Sequence, residues 1–202
     1  MDENLKQQLM NKILEKIKAC TECPLCKGRC KPVLGEGNLN SELVFVGEAP
    51  GRKEDEVGIP FVGAAGQFLD RLLFGIGLSR EAVYISNVVK CHPPDNRRPV
   101  MKEIEACTPF LEEQLEIIKP KIIVAMGNSA ISFFSKKFGF KVIGMKRIHG
   151  KTFQIEAPWG KVTLLVTFHP AAALYNKDLE KIIEKDFKKL LTLLKSSGCL
   201  IL

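Results

Sequence analysis

Two groups of residues in this 202-residue chain have the types and spacing for chemistry. The first is Cys20-x2-Cys23-x2-Cys26-x3-Cys30, four of the seven cysteines within eleven positions. Thiolates three residues apart in a tight turn can share a metal, and this run has the spacing of a bacterial ferredoxin cluster loop. Two completions compete. One uses the four local cysteines, which spacing alone favours; the other joins Cys20 and Cys23 to the distant Cys91 and Cys107. Four thiolates suit zinc equally well in either set. Cys199, among apolar residues near the C-terminus, is expected to be idle. The second group is the turn Gly47-Glu48-Ala49-Pro50-Gly51, which holds one carboxylate between glycines. A glycine-rich turn of this kind is often only a connection.

The elements that must position these groups follow from apolar periodicity. Leu5, Leu9, Ile13, Leu14 and Ile17 share one face of an amphipathic helix over residues 3–19. Leu43–Val46 is an apolar strand leading into the glycine turn, and a charged loop, Pro60-Phe61-Val62-Gly63 and a helix from about Ala65 follow. Ala82–Val89 reads as a second strand, and the prolines after it exclude regular structure before a helix over about 101–118. Lys121–Met126 is a third strand. A helix starts at Gly127-Asn128-Ser129, and a hairpin turns at Pro158-Trp159-Gly160 before a final helix. Strands alternating with helices predict an α/β fold, a three-layer α/β/α sandwich around a mainly parallel, roughly four-stranded sheet. Three loops then leave the carboxyl edge of that sheet: Gly47–Gly51, Asn87–Pro99 and His169–Leu174. Together they form the mouth of an open α/β site.

Composition narrows the class. The apolar and charged fractions are those of a globular protein, and a length of 202 residues suits a single domain. No apolar run is long enough to span a membrane, and the charged N-terminus is no secretory signal. A cytoplasmic location is expected. A net charge of +7 favours an anionic partner, nucleic acid first, although lysine-rich helices such as the last one also carry such charge. Cysteine-rich and unsecreted, the chain is better matched to metal binding than to disulfides.

The ordered motifs GEAPG, PFVG, SNVVKC, the PP–N–RRP loop and FHPAAAL resemble those of the family 4, iron–sulfur uracil-DNA glycosylases. The resemblance covers residues 20–176 and is specific because five separated motifs agree in order. It implies a monomeric enzyme that removes uracil from single- or double-stranded DNA in base excision repair, with a [4Fe–4S] cluster. It also implies Cys20, Cys23, Cys91 and Cys107 as ligands, a cluster that packs residues 1–34 onto the body, and no ligand role for Cys26 and Cys30.

By the same resemblance Phe61 stacks on the extruded base and Asn87 reads its edge. Gly47 and Ala49 allow or make backbone contact, and His169 donates to uracil O2 as negative charge develops there. Glu48 is the first candidate to orient water or stabilise the sugar cation, with Glu54 second. Leu174 is a candidate wedge, and Arg97, Arg98 and Lys90 are candidate phosphate contacts. Tyr175 stands where the family often has a basic residue. Without the resemblance, Phe61 reads as a core anchor, Asn87 as a turn residue and His169 as a strand-end histidine. Two other classes compete: a metal-stabilised nucleic-acid-binding module without catalysis, and a ferredoxin-like electron carrier. No sequence feature identifies a protein partner such as a sliding clamp.

Overall fold

A computed structural model describes residues 1–198 of the chain; Cys199 lies outside them. In chain order the elements are α1 (Glu3–Ala19), β1 (Glu36–Gly37), β2 (Leu43–Gly47), α2 (Arg52–Val57), α3 (Ala64–Gly75), β3 (Tyr84–Asn87), α4 (Met101–Ile118), β4 (Ile122–Met126), α5 (Asn128–Phe138), α6 (Met145–Ile148), β5 (Thr152–Ala157), β6 (Gly160–Thr167), α7 (Ala171–Tyr175) and α8 (Lys177–Ser196). The strands form one sheet in the order β1-β3-β2-β4-β6-β5. Its four middle strands are parallel, and β1 and β5 are antiparallel edges. The sheet therefore has six strands rather than about four. The additions are β1, two residues too short to carry an apolar pattern, and the outer arm of the hairpin.

Alternation along the strands explains the layers, because successive side chains leave a strand on opposite faces. Val44 and Val46 of β2 join Met10, Ile13 and Ile17 of α1, Leu111 and Leu115 of α4 and Phe134 of α5 in one core. Leu43 and Phe45 face the other way, with Leu69 and Leu73 of α3 and Phe187 and Leu190 of α8. Both faces are covered, which gives the three layers expected. Among the described residues no helix is long and apolar enough to cross a membrane.

Strand order reverses at β2: the chain steps to β3 on one side, then crosses to β4 and β6 on the other. A crevice opens at such a switch point, beyond the carboxyl ends of the strands. The segment from β2 to α3 lines it and contains the short helix α2 where the sequence suggests only a charged loop. Phe61 in this segment has a left-handed backbone, φ 54°, an uncommon state for a bulky residue. Three neighbours hold it there. Arg80 donates to the Pro60 and Phe61 carbonyls, the latter at 3.1 Å, while also pairing with Asp70 and Glu36. Glu54 Oε1 accepts from the Val62 and Gly63 N–H groups at 2.9 and 2.8 Å. Gly66 supplies the third constraint, because a Cβ there would lie 1.7 Å from the Phe61 carbonyl oxygen.

The fit at Gly66 generates a test. Alanine normally favours a helix over glycine, by about 0.5–1 kcal/mol. Gly66→Ala should nevertheless destabilise the fold by about 1–3 kcal/mol through overpacking. Urea denaturation measures this, and unchanged or increased stability would contradict the contact.

Candidate active site

The loops that follow β2, β3, β4 and β6 enclose a cleft of about 680 Å³, lined by Glu48, Ala49, Glu54, Phe61, Asn87, Asn96, Arg97, Arg98, Gly127, Asn128, Phe168, His169, Leu174 and Tyr175. The three loops picked out in the sequence do converge, and the turn after β4 joins them.

Asn87 is the last residue of β3 and is buried. Its Oδ1 is the buried side-chain polar atom without a hydrogen-bond partner among the described residues. Leaving such an acceptor unpaired costs about 1–3 kcal/mol, so an orphan at a cleft wall points to a ligand donor. Gly47 lies opposite: a Cβ there would be 2.3 Å from Asn87 Oδ1 and 2.7 Å from the Phe61 ring. Gly47 thus lets backbone, amide and ring meet. Phe61 packs on the His169 ring, with centroids 5.4 Å apart. The cleft therefore presents an aromatic face beside a carboxamide, which suits a flat ring with a polar edge.

His169 accepts a hydrogen bond at Nδ1 from the Ala171 N–H (3.2 Å). In the neutral ring that contact assigns the proton to Nε2, leaving an N–H donor on the other side of the ring. Burial pushes the His169 pKa down to about 4, against an upward pull from Glu54. The ring is a neutral donor at physiological pH.

The two carboxylates differ in their commitments. Glu54 is buried and one of its oxygens already accepts two backbone N–H groups. Glu48 is half-buried at the cleft wall and accepts from Ser129 Oγ at 2.5 Å. Ser129 and Arg80 are the residues that sequence reasoning missed. A serine at the start of a helix reads as a cap, yet here its hydroxyl turns to Glu48, and Arg80 lies in no motif.

The basic residues separate. Arg98 is exposed at the cleft rim. Arg97 also lines the rim but forms a forked pair with Glu103, at 2.9 and 2.6 Å. Lys90 is not a phosphate contact: it is completely buried, with its ammonium bonded inside the protein. The strand-end turn carries it inward, whereas Arg97 and Arg98, seven and eight positions on, stay at the surface. Leu174 and Tyr175, on α7, are exposed and also line the cleft.

Cys91 and Cys107 are buried, and both lie within electrostatic reach of Cys23; Cys91 and Cys23 also lie within reach of Cys20. Burial raises the thiol pKa values of Cys91 and Cys107, the latter to about 12. Arg29 Nη1 nonetheless donates to Cys91 Sγ (3.2 Å), and the Lys90 N–H donates to Cys107 Sγ (3.1 Å). Such donors stabilise sulfur as thiolate, the form that binds metal. Cys30 is exposed against Asp55, whose carboxylate raises its pKa and disfavours the thiolate. Among the described residues no three His, Cys, Asp or Glu side chains meet as a metal-ligating group. The donor chemistry at Cys91 and Cys107 still fits a thiolate-bound metal better than the surroundings of Cys30 do.

Comparison with known proteins agrees with this geometry. A family model described as the uracil DNA glycosylase superfamily matches residues 34–195. Three similar proteins carry the name type-4 uracil-DNA glycosylase. That of Archaeoglobus fulgidus is 46% identical over 90% of this chain and 91% of its own length. That of Sulfurisphaera tokodaii is 45% identical over 90% and 83%. That of Thermotoga maritima is 43% identical over 96% and 98%. The chain belongs to the uracil-DNA glycosylase superfamily, in its type-4 group.

The hydrogen bond at His169 Nδ1 and the desolvation of the half-buried ring generate a second test. An ordinary histidine is half-protonated near pH 6.5. A group whose pKa is lowered stays neutral above the lowered value, so His169 should gain no proton between about pH 8 and about pH 5.5. Nitrogen NMR of the imidazole measures this, and a midpoint near 6.5 would refute the neutral donor.

Proposed function

We propose that the chain is a monofunctional uracil-DNA glycosylase, which takes uracil out of single- or double-stranded DNA and leaves an abasic site. The observation that carries this reading is the buried, unpaired Oδ1 of Asn87 beside Phe61. A ferredoxin-like carrier or a non-catalytic binding module has no use for an orphaned carboxamide in a strand-end cleft.

In this reading the base leaves the stack and lies on Phe61. Asn87 Oδ1 accepts from uracil N3–H and its amide donates to O4, while cytosine would set acceptor against acceptor and donor against donor. Such mismatches in a dry pocket give strong discrimination. Gly47 and Ala49 let the backbone approach the ring. The C1′–N1 bond then breaks with its electron pair moving onto the base. His169 Nε2–H donates to O2, where that charge accumulates, and remains neutral. Glu48, held by Ser129, orients a water and takes its proton as the oxygen bonds to C1′. The two hydrogen bonds already made by Glu54 suit it to hold the Phe61 loop rather than to handle water. Leu174 fills the gap left by the base, and Arg98 meets phosphate, with Arg97 beside it.

Cys20, Cys23, Cys91 and Cys107 would hold a [4Fe–4S] cluster, which when bound serves as a cross-link between the N-terminal turn, the loop after β3 and α4. Residues 1–34 are then fixed to the rest of a single domain. Unpaired thiols suit a reducing cytoplasm, and the enzyme acts as a monomer. The six described cysteines are all free.

A duplex carrying one uracil should break at that position when treated with the protein and then alkali; an intact strand would end the proposal. Asn87→Ala should lower uracil release by about 100-fold or more. Its affinity for uracil-free duplex should change little, because phosphate contacts carry most of that binding. Full activity in this variant would remove Asn87 from its role. For the metal, Cys91→Ser should lose iron and visible absorbance while Cys26→Ser keeps both. The reverse pattern would assign the local cysteine run.

A further inference from the structure

β1 pairs with β3 at Tyr84 and Ile85 and then ends. On the other side β3 stays paired with β2 through Asn87, and the N–H groups of Val88 and Val89 donate to the Gly47 and Glu48 carbonyls. The last residue of β3 therefore has a strand partner on one edge only among the described residues. On the open edge a buried carbonyl would lack a partner. The Lys90 side chain takes the place of the missing strand: Nζ donates to the Asn87 carbonyl at 2.8 Å, to Ser86 Oγ at 2.8 Å and to Gln114 Oε1 at 2.6 Å. Gln114 is fastened in turn by its Nε2, which donates to the Leu34 carbonyl and to the Tyr84 hydroxyl.

The backbone of Lys90 faces the cysteines. Its N–H donates to Cys107 Sγ, and its carbonyl accepts from the Val33 N–H at 2.8 Å, in the segment that follows the N-terminal cysteine turn. One fully buried residue thus bonds at one end to a cysteine sulfur and at the other to the backbone of Asn87. Burying a lysine ammonium is costly, and an apolar residue would fill the same space without that cost. Among the described residues none of its hydrogen-bond partners is a carboxylate, so these bonds form no ion pair. Its hydrogen bonds converge on one strand end.

We propose that Lys90 is a positioning residue that fixes Asn87 for reading the base and ties that position to the cysteine site. This rests on the reading of Asn87 given above. Lys90 touches neither the base nor DNA; it acts through the Asn87 backbone. A shift of an ångström in the amide would leave its orphaned oxygen misaligned with N3–H, which lowers discrimination without altering phosphate contacts.

The test uses Lys90→Met in the full chain as purified, with iron content and melting temperature recorded. The probe is a duplex containing 2′-fluoro-deoxyuridine, which resists cleavage, compared with the same duplex containing thymine. Lys90→Met should lose about tenfold or more of the preference for the uracil duplex, with affinity for the thymine duplex unchanged. Activity should fall in parallel, and the loss should vanish when Lys90→Met is added to Asn87→Ala, because residues acting as one unit are non-additive. A retained uracil preference overturns the proposal. So does a loss that adds fully to that of Asn87→Ala, which would mark Lys90 as generally structural. Full activity in Asn87→Ala alone would instead sink the earlier reading of that residue. Should Lys90→Met lose iron or fail to fold, Gln114→Leu removes the shortest acceptor of Nζ at a residue whose own hydrogen bonds go to Ser86, Lys90, Leu34 and Tyr84 and to no cysteine, and the same two criteria decide.

Discussion

Parallel pairing in near register is the constraint on which the rest of the molecule depends. Gly47 pairs with Asn87, and Met126 with Thr167, so four strands that are distant in sequence stop at one edge. A parallel sheet buried on both faces fixes its register through its apolar pattern, since a slip of one residue would turn every side chain to the wrong layer. The positions of Glu48, Asn87 and His169 are therefore set by the two cores, one on each face of the sheet, and not by the loops that carry them. Changes deep in either core would reach the cleft through that register.

The cleft and its support divide the polar groups between them. Behind the wall, Lys90, Gln114, Ser86 and the Leu34 carbonyl satisfy one another. At the wall, Asn87 Oδ1 is left without a partner. A buried network that is complete rigidifies its members, while a single gap in it is costly. The gap lies where a substrate edge would complete it. Glu54 Oε1 and Arg80 likewise bond backbone groups around Phe61.

Much of this was legible in the sequence, for definable reasons. Leu43–Val46 and Lys121–Met126 are continuous apolar runs, which is how strands covered on both faces read. The convergence of three loops followed from their places after strands. The roles proposed for Phe61, Asn87 and His169 do not follow from residue type; they rest on the order of several motifs. Lys90 was misjudged because a lysine beside prolines and arginines looks solvent-exposed, while its burial depends on Gln114, 24 residues away and on another element. β1 escaped because two residues carry no period. Ser129 acts through one tertiary contact and Arg80 through four, and local pattern does not register such contacts.

The backbone of Phe61 has one more consequence. A left-handed phenylalanine held by Glu54, Arg80 and Gly66 has already lost its conformational freedom when the chain folds. In the proposed reading this residue is the stacking surface, and a base arriving on it meets no backbone ordering cost there. A face that cannot move also cannot adapt: a larger ring system or a substituted pyrimidine meets a fixed wall. In that reading, selectivity by shape is set when the chain folds, before any hydrogen bond to the base forms.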